Sequence, residues 1–137
     1  MKLLVLATVP VDADDVRAAL PGADLSEVQA LVVSPAVNES PVAFWMSDSD
    51  EAIADAESVA ERTAAALRER AGKVAANAGD SEPLVALQDA LATFPADRIL
   101  VVAHDEEHAR YREDDVLGEA ERRFGVPVTE VVRGPDA

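Results

Sequence analysis

Hydrophobic positions along the chain gather into four short, nearly unbroken apolar runs, separated by longer stretches in which apolar residues recur every three or four positions. The runs are Leu3 to Val9, Val28 to Val33, Ile99 to Ala103 and Val126 to Val132. Each is rich in Val, Leu or Ile, and each is bounded by Pro, Gly, Ser or Asp. Continuous rather than alternating hydrophobicity predicts strands buried on both faces, as in a parallel sheet covered by helices. A weaker fifth strand, Lys73 to Ala78, mixes small and polar residues and is expected at an edge.

The intervening segments read as helices. Asp12 to Leu20 opens on acidic residues, which suit a helix N-terminus, and stops at Pro21-Gly22. Ser47 to Ala71 is the longest, with Ser47 or Ser49 as N-cap and Gly72 as its stop. Its apolar face is Ile53, Ala56, Val59, Ala60, Thr63, Ala64 and Leu67. Glu82 to Phe94 repeats the pattern through Leu84, Leu87, Leu91 and Phe94, with Pro83 in the permitted first turn. Asp115 to Phe124 closes the series before Gly125.

The alternation of strand and helix predicts an α/β fold: three layers around an open, parallel, five-stranded sheet. Residues 1–134 form a single domain, and 135–137 are a short tail. Two connections are long, Ser34 to Met46 and Asp105 to Asp114, and both follow strands. Ligands of open α/β sheets sit outside the carboxyl ends of the strands, so these loops are where a ligand belongs.

Composition narrows the function classes. The chain has 27 acidic against 12 basic side chains, for a net charge of −15. Such a field repels phosphate backbones and anionic lipid, which argues against nucleic-acid and membrane partners. The acid excess reads either as a solubility device or as adaptation to salt. With no cysteine there is no disulfide, thiolate metal site or cysteine nucleophile. The apolar start is cut short by Pro10 and Asp12, too early for a signal peptide. No apolar stretch reaches the roughly 20 residues of a membrane helix, and a cytoplasmic protein is expected.

The run VAANAGDSEPLVALQDALATFPADRILVVAH, beginning at Val74, resembles the second half of universal stress proteins. A strand ends in Gly79-Asp80, a helix follows, and the Pro95-Ala96-Asp97 turn leads into the buried strand from Arg98. The segment AERRFGVPVTEVV, Ala120 to Val132, is similar to that family's last helix and strand. The resemblance implies an adenine nucleotide alpha hydrolase-like, Rossmann-like fold with strand order 3-2-1-4-5. It also implies a homodimer through the last strand, Val126 to Val132. That strand would otherwise leave an apolar edge open, unless the tail or a helix covers it.

Nucleotide-binding members of the family carry a glycine-rich phosphate loop after the fourth strand, where backbone N–H groups approach phosphate closely. Here the segment from His104 to Gly118 has no glycine before Gly118 and carries six carboxylates. The expectation is therefore a non-enzymatic small-molecule-binding or regulatory domain that does not take ATP in the family's manner. Its ligand and any cofactor are not identified by the sequence. Candidate contacts are Thr8 and Pro10 after strand one, Ser34 and Asn38 after strand two, Trp45, and His104, His108, Arg110 and Arg112 after strand four.

Other readings of the same residues stay open. His104 and His108, the only histidines, lie four apart and could serve a small metal-dependent or nucleotide-cleaving enzyme with Asp105, Glu107 or Asp114. No established metal motif accompanies them. Arg110 and Arg112 could bind an anion, or pair with the flanking acids. Trp45 could wall a pocket, or close over the start of the long helix. A structural dimerisation module without a ligand is the third reading.

Overall fold

A computed structural model describes residues 2–10, 13–20, 24–35, 49–69, 73–80, 82–104 and 115–133. Its elements follow in the order β1 (Lys2–Ala7), α1 (Ala13–Ala19), a 3-10 turn (Leu25–Glu27), β2 (Gln29–Pro35) and α2 (Ser49–Arg68). β3 (Lys73–Gly79), α3 (Pro83–Thr93), β4 (Arg98–His104), α4 (Val116–Phe124) and β5 (Val128–Arg133) follow among the described residues. All five strands are parallel, in the order β3-β2-β1-β4-β5. This is the α/β, Rossmann-like architecture expected from the alternation, with the weak strand β3 at one edge.

Connectivity explains the layers. The chain steps outward from β1 to β2 to β3, then returns to the other side of β1 for β4 and β5. Right-handed crossovers in opposite directions put their helices on opposite faces. α1 and α2 accordingly cover one face, where Leu3, Val5, Val32, Leu100 and Val102 meet Val16, Leu20, Ala60, Ala64 and Leu67. α3 and α4 cover the other, where Leu4, Leu6, Val33, Ile99 and Val101 meet Ala86, Leu87, Val116 and Ala120. Alternate residues of one strand thus serve two cores, which is why β1, β2 and β4 read as unbroken apolar runs. Alanines at 56, 60 and 64 let α2 approach the sheet closely.

Element ends depart from the sequence pattern for local reasons. β1 stops at Ala7 rather than Val9, although the Thr8 N–H still donates to the Val102 carbonyl at 3.1 Å. β5 starts at Val128 rather than Val126. Gly125 ends α4 in the left-handed region (φ 67°), and Pro127 has no N–H, though its carbonyl accepts from Ile99 at 2.9 Å. α2 ends at Arg68, whose guanidinium donates to the Val74 carbonyl of edge strand β3 at 3.1 and 3.2 Å. The 3-10 turn lacks an apolar pattern and was not expected. It is nucleated by the Asp24 carboxylate, which accepts from the Ser26 N–H at 3.0 Å and hydroxyl at 2.7 Å.

Candidate functional site

Reversal of direction between β1 and β4 makes their carboxyl ends the switch point of the sheet. In open α/β sheets this is the place where ligands bind, outside the carboxyl ends of the strands. Thr8, Val9 and Pro10 follow β1 at this place and are half-buried. The Thr8 N–H continues the ladder onto Val102, and its hydroxyl reaches the same carbonyl at 3.4 Å. At that length the bond is weak, so the hydroxyl can turn to another acceptor at little cost. His104 is the last residue of β4, in register with Arg133 of β5.

Ser34 has a different position from Thr8. It is 1% exposed, and its hydroxyl donates to the Ala7 carbonyl across the β1–β2 pair. Register explains the bond. Leu6 lies opposite Val33, so Ala7 lies opposite Ser34, and its carbonyl points toward β2 because the neighbouring Thr8 faces β4. In a parallel ladder the next donor would be the N–H of residue 35, which is proline. Ser34 supplies the missing hydrogen bond from its side chain. A serine immediately before a proline at a strand end was the available signal.

The turn after β3 forms the next part of the rim. A Cβ on Gly79 would come within 2.6 Å of Val33 Cγ1 and 3.2 Å of Ala86 Cβ, so glycine is what lets α3 close onto the end of β2. The Asp80 carboxylate accepts from the Glu82 N–H at 2.9 Å, forming an Asx turn that launches α3 just before Pro83. The Gly-Asp pair on which the family resemblance partly rests therefore has a definite local function in shaping this rim.

The N-terminus of α4 is the last described part. Asp115 precedes the helix in the left-handed region (φ 50°). Its carboxylate lies against Gly118, where an added Cβ would come within 2.5 Å of Oδ1. Arg122 donates to Asp115 Oδ2 at 2.9 Å and to Glu119 Oε2 at 3.0 Å, and Arg123 donates to Glu119 Oε1 at 3.2 Å. The hydrogen bonds from Arg122 and then Arg123 hold the Glu119 carboxyl below its usual range. Asp115 and then Glu119 raise the Arg122 guanidinium in turn. The Asp115 carboxylate thus lies beside Gly118 in the first turn of this helix, paired with Arg122.

The structure therefore brings Thr8, Pro10, Ser34 and His104 to one end of the sheet. Asn38, Trp45, His108, Arg110 and Arg112 lie outside the described residues. Among the described residues no group of three or more His, Asp or Glu side chains is placed to hold a metal ion. No helix among them is long and apolar enough to cross a membrane. The chain matches no protein-family model, and no curated protein matches it.

Proposed function

We propose that this chain is a small-molecule-binding or regulatory domain of the universal-stress-protein type, non-enzymatic and cytoplasmic, with its site at the carboxyl ends of β1, β2 and β4. The observation that carries the reading is the strand order, which puts the switch point of the sheet beside Thr8 and Pro10. Its ligand is not ATP held through the family's phosphate loop. Support for that comes from the sequence between His104 and Gly118, which has no glycine before Gly118 and carries six carboxylates where a phosphate would need close backbone N–H groups. The domain works as a homodimer joined through β5. That strand is an outer strand of the sheet, and Val132 on it is 39% exposed.

Thermal unfolding across a panel of nucleotides and small metabolites, read beside the native mass of the freshly purified protein, tests this reading. The expected result is a bound or stabilising small molecule whose effect is lost in Thr8→Lys, with no shift from magnesium ATP. Recovery of one equivalent of ATP would overturn the phosphate-loop argument. An empty protein that no compound stabilises would leave the structural dimer module as the better reading.

A further inference from the structure

Even complete pairing of all 12 basic side chains leaves fifteen carboxylates of this chain without a basic counterpart. The fold puts that imbalance on its surface. Asp55, Glu57 and Glu69 are exposed along α2 and its end, and Asp89 is exposed on α3. Glu57 stands one helical turn from Glu61, a spacing at which like charges destabilise a helix, and the Arg68 guanidinium at 2.6 Å from Glu61 offsets only part of that repulsion. Several other carboxylates accept from backbone N–H groups: Asp24 from Ser26, Asp80 from Glu82, Asp97 from Lys2 and Glu121 from Val128. Those bonds place the carboxylate without cancelling its charge.

The cohesion that opposes this repulsion is modest. Aromatic residues are 4% of the chain, and alanines 60, 64, 86 and 120 occupy fully buried helix positions. A buried alanine removes less apolar surface from water than a leucine or phenylalanine, and stabilises in proportion.

We propose that ionic strength controls whether this chain holds its native fold, with concentrated salt as its working medium and dilute buffer as a loosening one. Repulsion between surface charges reaches about 10 Å at 0.1 M salt and about 3 Å at 1 M. The second distance is shorter than the roughly 5–6 Å between side chains one helical turn apart. Screening therefore acts between neighbouring carboxylates over this range, and it requires no cation at a fixed position.

The test is urea unfolding of the full chain, followed by far-ultraviolet circular dichroism, in KCl from about 0.1 M to about 1 M, the range over which the screening length shrinks. The same titration is run on the variant Asp55→Asn/Glu57→Gln/Glu69→Gln/Asp89→Asn, which removes exposed charge and leaves both cores intact. The unfolding midpoint of the natural chain is expected to rise steeply with KCl. In the variant it starts higher at low salt and rises less. A flat midpoint in the natural chain overturns the proposal. So does an equally steep rise in the variant, which would assign the effect to salting-out of apolar surface instead of screening. If the variant does not fold, the titration of the natural chain still decides against the proposal when it is flat.

Discussion

The Ser34 hydroxyl donates to the carbonyl of Ala7 and replaces the backbone donor that Pro35 lacks. A side chain thereby completes the β1–β2 ladder at the carboxyl ends of both strands. Ser34→Ala leaves a buried carbonyl without its donor and is expected to cost about 1–3 kcal/mol. Pro35→Ala restores an N–H at the position the ladder requires. In that background the Ser34→Ala penalty should shrink, a coupling that a double-mutant cycle by urea unfolding measures directly. An unchanged penalty would show that the hydroxyl does not substitute for the proline.

Close approach of α3 to β2 makes a second prediction at Gly79. Gly79→Ala forces its Cβ onto Val33 and Ala86, and overpacking of this kind costs about 1–3 kcal/mol. Shortening the nearer neighbour makes room. Gly79→Ala/Val33→Ala should therefore lose less stability than the two single changes predict together, as read from thermal midpoints.

The start of β1 is tied to the turn before β4 by a reciprocal pair. The Lys2 N–H donates to Asp97 Oδ2 at 2.8 Å, and the Asp97 N–H donates to the Lys2 carbonyl at 2.8 Å. The Lys2 ammonium also lies 5.7 Å from the centre of the Phe94 ring. Asp97→Ala removes the first of these bonds in an exposed setting and should cost about 1 kcal/mol. Its signature is local: amide exchange at Lys2 should quicken while amides in the middle of β4 keep their protection.

The fold was legible in the sequence because each central strand is buried on both faces. Leu3 to Ala7 and Ile99 to Ala103 alternate between two cores, so every residue is apolar and each run stands out from its neighbours. β3 was harder to read because none of its residues is fully buried: Val74, Ala76, Ala78 and Gly79 are half-buried, while Lys73, Ala75 and Asn77 are exposed. The candidate site was legible only as a place. Thr8 and Ser34 look alike as hydroxyls after strands, yet Thr8 reaches the Val102 carbonyl of β4 and Ser34 completes the ladder at the Ala7 carbonyl of β1. That distinction depends on which way the Ala7 carbonyl points, a property of pairing and register that no single strand carries. The left-handed Asp115 was also beyond the pattern, since residues other than glycine enter that region uncommonly and no hydrophobic periodicity marks the position.

The α4 ion pairs predict an acid dependence whose sign follows from the depressed Glu119 carboxyl. A folded value below the unfolded one contributes stability that is present above the unfolded value and lost as pH falls through the folded one. Glu119 is on the surface, so this contribution to stability is small. The clearer readout is the titration of the Glu119 carboxyl itself, followed by nuclear magnetic resonance. It should titrate below an ordinary glutamate, and Arg122→Ala should move it back toward the usual range. Arg123→Ala should move it less, since its hydrogen bond is the secondary cause.

Joining through β5 predicts a last outcome, one that separates the proposed dimer from a monomeric domain. Val132 is exposed on an outer strand of the sheet, so a lysine there leaves both cores intact. A charged side chain at that position opposes edge-to-edge pairing, the means by which many proteins keep open strands apart. Sedimentation of the natural chain should give twice the monomer mass, and Val132→Lys should give the monomer with an unchanged circular dichroism spectrum. Val85 on α3 is the other exposed large apolar residue among those described, and it lies away from the β5 edge. Val85→Lys should leave the dimer intact. A dimer that survives the β5 change and dissociates on the α3 change would move the interface to the helical face.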